Sequence, residues 1–297
     1  MERRIGVLIN PASGAGRVGR HSATVLRGLA SRGDHLVAIQ GESAAEAESL
    51  LAAAMAEGLD ILVAVGGDGT VHQALQAVVG TDTALGIVPL GTGNDAANSV
   101  GLARASPEVA VSVVLAGVPR AFDVGRIEAA DGTIRHYLCV MSSGFDSSAN
   151  ERANEMTWPS GTALYIRSML AVLRTFRPIP YRAELDGEVV VDHGMLVSLG
   201  NGPAFGGGML VCAGADMHDG LLDLIWVHSM PRRRLLAVFP KVYTGKHLEH
   251  PAVESRRVRS ATLDAPGQVA YADGERVAAL PVTVTAVPDG VQVLVPR

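Results

Sequence analysis

The sequence predicts an N-terminal α/β lobe with a doubly wound parallel sheet, followed by a mostly antiparallel β-sandwich lobe. The chain has 297 residues, more than the ~250 at which single hydrophobic cores usually stop growing. Apolar runs alternate with helical spacing up to about residue 122, which is typical of an α/β sheet. Short β-prone runs separated by turn residues predominate after that point. We therefore predict an α/β domain over 1–122 and a β-sandwich domain over 123–297.

In the first lobe, short apolar runs bounded by turn residues indicate buried parallel strands. These runs cover 4–9, 35–39, 61–65 and 85–89. Apolar periodicity and helix-forming composition predict helices between and after them. The predicted helices cover 20–32, 44–57, 71–79, 94–100 and 107–116.

In the second lobe, Asp-Gly pairs at 186–187 and 273–274 lie between β-prone runs, and such pairs are strong hairpin signals. The predicted strands cover 181–185, 189–192, 196–200, 221–227, 262–264, 268–272, 277–280, 282–286 and 291–295. Two helices, over 160–176 and 231–244, interrupt this pattern.

Composition excludes several classes of protein. The formal net charge of -5 argues against general nucleic-acid binding, which needs a basic surface. Cys139 and Cys212 lie far apart within apolar runs, so we expect buried thiols in a reducing compartment. The N-terminal apolar stretch is too short for a signal peptide, and no run of ~18 apolar residues predicts a membrane span. A cytoplasmic location is expected.

A glycine-rich motif, Gly66-Gly67-Asp68-Gly69-Thr70, follows the predicted strand at 61–65. In open α/β sheets, ligands bind beyond the carboxyl ends of the strands. Glycines there let backbone N–H groups approach phosphate oxygens, and the following helix adds a favourable dipole. Asp68 would orient Mg²⁺ bound to the phosphates. The alternative is an ordinary strand–helix turn in which Asp68 caps the helix.

Two further loops leave the same predicted edge of the sheet. The loop after the first strand offers the Asn10 amide, the Ser13 hydroxyl and the Gly14 backbone. The loop at 89–95 offers Thr92, Asn94 and Asp95, although Asn94 or Asp95 can also serve as a helix cap. Three such loops on one edge, two of them carrying a carboxylate, predict a nucleotide-phosphate site.

These motifs resemble the catalytic domain of diacylglycerol kinases and related bacterial lipid kinases. The resemblance covers nearly the whole chain, in order. It continues at Gly144-Phe145-Asp146, Asn201-Gly202, Asp219–Asp223 and Asp273-Gly274-Glu275. The GGDGT motif alone is shared with NAD kinases and sphingosine kinases, whereas its combination with the 89–95 motif and the late Asp-Gly-Glu is more specific.

The resemblance implies that ATP binds between the lobes, at Asn10, at 66–70 and at Thr92. It implies that Asp68 is the essential acid and that Glu275 is the general base. It further implies a Mg²⁺ site formed by the Asp219 carboxylate and the carbonyls of Asp216 and Leu221. Oxygen-only ligation suits that ion.

Two assignments stay open at this point. Asp-Gly-Glu occurs twice, at 186–188 and 273–275, and only position within the family pattern favours Glu275 over Glu188. A further ATP contact after the second strand falls on either Gly41 or Ser43.

The expected activity is transfer of the γ-phosphate of ATP to diacylglycerol or a related lipid, giving a phosphatidic acid-type product in lipid metabolism. A sphingosine- or ceramide-type kinase, an NAD kinase and a non-catalytic lipid or nucleotide binder are the alternatives. A lipid acceptor implies peripheral contact with a membrane. The basic segment 231–259 offers either a docking patch for anionic lipid or a solvated surface. We expect no nucleic-acid partner, and the sequence is compatible with a homodimer.

Overall fold

A computed structural model describes residues 2–10, 17–156 and 162–297 of the chain. The chain divides into two units, one formed by Met1–Phe122 with Asp289–Arg297 and the other by Asp123–Pro288.

The first unit contains a parallel sheet with the strand order β2-β1-β3-β4. Its strands are β1 (Arg4–Ile9), β2 (His35–Ile39), β3 (Ile61–Gly66) and β4 (Ala84–Pro89). Its helices are α1 (Arg17–Leu29), α2 (Ala44–Ala56), α3 (Asp68–Val78), α4 (Asp95–Ser99) and α5 (Pro107–Ala116). Every residue of β3 is buried, as expected of a central parallel strand covered on both faces.

The last residues of the chain pack with the first unit. Residues 289–297 were predicted as part of the second domain, and the compact unit that they join is the first. The reason is β15 (Val282–Val295), which pairs in parallel with β4 through Val293 and Leu85. Both of these side chains are buried, so the returning strand extends the core of the first unit.

The second unit is mostly antiparallel. Its strands are the larger part of β5 (Val118–Ala129), β6 (Ile134–Tyr137), β7 (Val140–Gly144), β8 (Ile179–Leu185), β9 (Glu188–Gly200), β10 (Leu222–His228), β11 (Val253–Val258), β12 (Ser260–Asp264), β13 (Val269–Ala272), β14 (Glu275–Ala279) and the start of β15. The strand order β14-β13-β7-β9-β8-β12-β15 forms the main path, and β10 pairs with both β9 and β11. Trp226 and Tyr181 lie edge to face in a core that is otherwise largely aliphatic.

The α-helices that accompany these strands in the described part of the unit are α6 (Phe145–Asn154), α7 (Thr162–Leu173) and α8 (Arg232–Val238), which continues as a 3-10 helix over Phe239–Thr244. An α/β lobe followed by a mostly antiparallel β-sandwich lobe was the predicted fold class, and it is confirmed. Across the described ranges, no helix is long and apolar enough to cross a bilayer. Cys139 and Cys212 are both buried thiols.

Candidate active site

Two of the predicted glycine loops leave neighbouring strands of the first unit. β3 and β4 pair in parallel with Gly66 opposite Pro89. The Leu90 N–H then donates to the Gly66 carbonyl at 2.7 Å. Asn10 follows β1, which pairs with the other side of β3, and its side chain is exposed. The carboxyl ends of three adjacent parallel strands therefore carry the residues predicted to bind phosphate.

The two loops approach so closely that only glycine fits at their contact. A Cβ on Gly91 would lie 2.5 Å from the Gly67 Cα and 2.7 Å from the Asn94 Oδ1. A Cβ on Gly66 would overlap the side chain of the buried Thr70. Close packing therefore requires glycine at both positions, while Gly69 and Thr92 remain exposed at the surface of the same loops.

Asp68 joins the two loops through its carboxylate. Its Oδ2 accepts the Asn94 N–H at 2.8 Å, and its Oδ1 accepts the Ala96 N–H at 3.2 Å. The side chain therefore caps α4, the helix that begins in the other loop, and it lies in the first turn of its own helix α3. The sequence alternatives had Asp68 capping its own helix and Asn94 or Asp95 capping α4, and the structure assigns these roles differently.

Asn94 instead closes its own loop. Its Oδ1 accepts the Gly91 N–H at 2.8 Å and its Nδ2 donates to the Gly91 carbonyl at 3.1 Å. Asn94 adopts a left-handed backbone conformation with φ 57°, which Asn tolerates better than most residues. Asp95 follows as a buried acidic residue in the first turn of α4. Asn94 thus shapes the turn, and Asp95 adds a second acidic side chain at the start of the helix that Asp68 caps.

The other predicted ATP contacts of the first unit are Ser13, Gly14 and either Gly41 or Ser43. Ser13 and Gly14 lie outside the described residues. Ser43 is the N-cap of α2 and accepts the Glu46 N–H at 3.2 Å. Gly41 packs against the first turn of the same helix, where a Cβ would lie 2.5 Å from the Ala47 nitrogen. Both residues therefore have structural roles, and the ATP contact at either one stays a prediction.

In the second unit, Asp273 anchors the hairpin between β13 and β14. Its carboxylate accepts the backbone N–H groups of Leu138 (2.7 Å), Cys139 (3.0 Å) and Val140 (3.1 Å). Gly274 completes the turn with φ 89°, which favours glycine. Glu275 is the first residue of β14. The three hydrogen bonds that the Asp273 carboxylate accepts therefore fix the backbone position of Glu275.

The second Asp-Gly-Glu turn has the same local construction but a different environment. The Asp186 carboxylate accepts the backbone N–H groups of Arg259 and Ser260. The Asp273 carboxylate accepts those of the segment 138–140 in the same way. Glu188, however, forms an ion pair with Arg256 at 2.8 Å. Glu275 is exposed and has no ion-pair partner among the residues that the structure describes. Glu275 is therefore available to a ligand, whereas Glu188 already has a cationic partner.

The loop 216–221 carries the proposed metal ligands. The Asp219 Oδ1 accepts the Leu221 N–H at 3.0 Å, while its Oδ2 lies 3.3 Å from the Arg257 Nη1. Burial raises the pKa of Asp223 nearby, Arg257 opposes that effect, and the carboxylates of Asp219 and Asp216 add to it. The loop thus concentrates negative charge and offers carboxylate and carbonyl oxygens, a donor set that suits Mg²⁺. No cluster of three or more His, Cys, Asp or Glu side chains with metal-binding geometry occurs among the described residues.

A chain of hydrogen bonds connects the Glu275 hairpin with this loop inside the second unit. Asp273 holds the segment 138–140, and the Asn201 Nδ2 donates to the carbonyls of Leu138 (2.7 Å) and Asp123 (2.8 Å). The Asp123 Oδ2 in turn accepts the Gly220 N–H at 2.7 Å. Asn201 and Asp123 are both buried. Sequence reasoning missed Asp123 because an isolated acid in a β-prone run gives no local signal.

A small cavity of about 50 Å³ also lies in the second unit. Apolar side chains form most of its wall, together with Asp146 and His247. Burial raises the pKa of Asp146 from 3.8 to about 7 and lowers the pKa of His247. The His247 Nε2 is paired with the Val211 carbonyl at 3.0 Å, while its Nδ1 is buried and has no hydrogen-bond partner among the described residues. The Gly-Phe-Asp motif thus contributes a buried acid that sequence reasoning left without a role.

Comparison with known proteins identifies two family domains. Residues 4–127 match the model of the diacylglycerol kinase catalytic domain. Residues 139–295 match the model of the YegS C-terminal NAD kinase beta sandwich-like domain.

Individual relatives agree with these matches. A diacylglycerol kinase of Mycobacterium tuberculosis is 42% identical over 99% of this chain and 96% of its own length. A probable YegS-like lipid kinase of Citrobacter koseri is 33% identical over 56% of each chain. The crystal structure of a putative diacylglycerol kinase from Bacillus anthracis superposes with a TM-score of 0.76 at 21% identity, covering 99% of this chain and 96% of that one. An NAD kinase from Archaeoglobus fulgidus, in complex with ATP, shares the fold at a TM-score of 0.55 and 16% identity, covering 98% and 93%.

Proposed function

This chain belongs to the diacylglycerol kinase-like family of bacterial lipid kinases, and from that premise we propose that it phosphorylates diacylglycerol to give phosphatidic acid. Family membership makes the protein an ATP-dependent kinase that acts on an alcohol group of a lipid. The choice of diacylglycerol is supported by the 42% identity to the Mycobacterium tuberculosis enzyme of that name, over nearly the full length of both chains. The product would serve phospholipid biosynthesis.

The observation that carries the proposal is the pairing of the glycine loops through Asp68 in the first unit. Phosphoryl transfer depends mainly on positioning and on neutralisation of charge. Backbone N–H groups at the start of α3, and the exposed Gly69 and Thr92, would bind the phosphate oxygens of ATP. Asp68 holds the two loops in register through the Asn94 and Ala96 N–H groups, and Asp95 adds the second acid.

We assign the general base to Glu275. A base must accept the proton of the attacking hydroxyl, and an exposed carboxylate without an ion-pair partner can do so, whereas one paired to an arginine is a weaker acceptor. The rigid turn built by Asp273 fixes the backbone from which Glu275 projects.

Mg²⁺ would neutralise charge on the transferred phosphoryl group when it accompanies ATP. A second, structural Mg²⁺ would be held by the Asp219 carboxylate and by the carbonyls of Asp216 and Leu221. Arg257 now neutralises part of the Asp219 charge, so the ion would compete with that side chain. The hydrogen bonds of Asp123 and Asn201 connect this loop structurally with the Glu275 hairpin.

A radiolabelled-ATP assay tests the acceptor. Purified protein is incubated with ATP, Mg²⁺ and, in separate reactions, diacylglycerol in mixed micelles, sphingosine, ceramide or NAD. We expect labelled phosphatidic acid with the first acceptor and little label with the others. Preferential labelling of sphingosine or ceramide would assign a different lipid kinase activity, and labelling of NAD alone would contradict the proposal. A parallel reaction on total lipid extract, analysed by mass spectrometry, identifies any acceptor outside this set.

A further inference from the structure

The strand that carries Glu275 lies at an edge of the sheet. Within the described ranges, β14 pairs with β13 on one side and with no strand on the other. Its register with β13 shifts between Arg276 and Ala278, so Val277 forms a bulge two residues after Glu275. A bulge bends its strand and interrupts the ladder of backbone hydrogen bonds. Backbone pairing therefore restrains Glu275 less than it would restrain a residue of a central strand.

Arg276, the residue after Glu275, makes an ion pair with a neighbouring helix. Its Nε lies 3.5 Å from the Oε1 of Glu151 on α6. Successive side chains of a strand point to opposite faces of the sheet. Because Arg276 points towards α6, Glu275 projects from the face turned away from that helix. The ion pair thus adds a side-chain restraint to β14 directly beside the proposed base.

Helix α6 is a firm support for this ion pair because two buried serines fix it to its neighbours. The Ser147 hydroxyl donates to the Ser142 carbonyl of β7 at 3.0 Å. The Ser168 hydroxyl of α7 donates to the Ala149 carbonyl of α6. Glu151 lies two residues after Ala149, so a well-anchored part of the helix presents its carboxylate to β14.

We propose that Glu151 and Arg276 are positioning residues for Glu275. The Asp273 carboxylate fixes the turn before the base, and the ion pair restrains the strand immediately after it. Glu275 therefore lies between two points that are tied to the rest of the second unit. This inference rests on the proposed function, in which Glu275 accepts the proton of the attacking hydroxyl. Glu151 and Arg276 act through the backbone that carries the base.

The exposure of the ion pair limits the size of its effect. The side chains of Glu151 and Arg276 are 47% and 56% exposed, and such a pair shifts an equilibrium by at most about fivefold. The pair favours the arrangement of β14 in which Glu275 reaches the hydroxyl, so its loss lowers the population of that arrangement and kcat by the same factor. The KM for ATP should not change, because the glycine loops of the first unit are untouched.

Substitutions of the two partners test the positioning role in the radiolabelled-ATP assay. Glu151→Gln and Arg276→Gln should each lower kcat by about three- to fivefold, with unchanged KM for ATP. The double variant should lose no more than either single variant, because each one breaks the same interaction. Arg276→Lys keeps the positive charge and should recover most of the lost turnover.

Glu155→Gln is the matched control. Glu155 is an exposed acid at the end of the same helix, and its ion-pair partner Arg152 belongs to α6 itself. The control variant therefore loses an exposed ion pair of α6 without releasing β14, and its kcat should equal that of the wild type. Circular dichroism melts of all the variants establish that each one folds.

Hydrogen–deuterium exchange of the full chain, read by mass spectrometry, tests the restraint without any turnover. Peptides that cover β14 should exchange about three- to fivefold faster in Glu151→Gln than in the wild type or in Glu155→Gln, because the strand opens more often. The difference between Glu151→Gln and the wild type should shrink at high salt, since screening weakens the exposed ion pair of the wild type.

Equal exchange of β14 in Glu151→Gln and Glu155→Gln would overturn the proposal. Losses of kcat that add in the double variant, or an Arg276→Lys variant as slow as Arg276→Gln, would also overturn it. An inactive Glu275→Gln alongside fully active Glu151 and Arg276 variants would contradict the positioning role alone. A wild-type protein that labels no lipid would contradict the proposed function, and the exchange measurement would still decide whether the ion pair restrains β14.

Discussion

Glu275→Gln should nearly abolish turnover without lowering stability. The substitution keeps the size of the side chain and removes only its ability to accept a proton. A positioned general base contributes ~10²- to 10⁴-fold to rate, which corresponds to roughly 3–5 kcal/mol of transition-state stabilisation. Because Glu275 is exposed and has no ion-pair partner among the described residues, the free energy of unfolding should change by no more than about 0.5 kcal/mol.

Glu188→Gln is the matched control. It occupies the same position of an equivalent Asp-Gly-Glu hairpin, so the chemical change and the local backbone are the same. The variant loses the ion pair with Arg256, which is largely exposed and worth about 0–1 kcal/mol. Turnover should stay near that of the wild type, while stability falls slightly.

Initial rates with radiolabelled ATP and micellar diacylglycerol measure kcat for both variants, and thermal melts by circular dichroism measure stability. The combination separates a catalytic loss from a folding defect. If the two variants retain equal activity, or if Glu275→Gln loses activity only in proportion to lost folded protein, then Glu275 is not the base.

Three further predictions concern the two units separately. Asp68→Ala should lower the free energy of unfolding by about 1 kcal/mol, because α4 loses its cap, and it should also abolish turnover. Ser106→Ala, which removes the cap of α5, is the control: it should lower stability by a similar amount and leave turnover intact. The same melts and rate assays measure both variants. Gly91→Ala should destabilise the protein by about 1–3 kcal/mol and weaken ATP binding in calorimetry, because its Cβ meets the Gly67 backbone; wild-type behaviour would contradict the packing argument. The raised pKa of Asp146 means that its folded form favours the proton, so wild-type stability should be lost as pH rises from about 4 through about 7, by roughly 4 kcal/mol at most. Asp146→Asn should remove this slope in melts at a series of pH values, and an unchanged slope would show that another group titrates.

The first unit was predictable almost element by element. Its strands are buried on both faces and so appear as continuous apolar runs, and β2 and α5 have the predicted bounds. Helix α3 begins at Asp68, three residues earlier than predicted, because the helix starts inside the glycine motif. The alternative in which Asp68 caps the helix had placed the start inside this motif.

The second unit was predicted less completely. Helix α6 was missed because its sequence is polar and has no apolar period, and it begins directly after Gly144 at φ 109°. The runs 189–192 and 196–200 were predicted as two strands but form the single strand β9. Strand β11 was missed because it is rich in arginine, and two of the acidic partners of its arginines lie on β9 and in the loop 216–221.

The sequence alone determined the fold class, the family and the positions of the glycine motifs, since these depend on short-range patterns of apolar residues, glycines and acids. The tertiary structure decided what each acid does. Asp68 bonds to residues 26 and 28 positions away, Asp273 to residues more than 130 positions away, and Asp123 to Gly220. The two Asp-Gly-Glu turns are alike in local sequence, and the arginine that pairs with one of them comes from a distant strand. Hydrogen bonds and ion pairs join groups that folding brings together, so their partners are set by packing over long separations and cannot be read from neighbours along the chain.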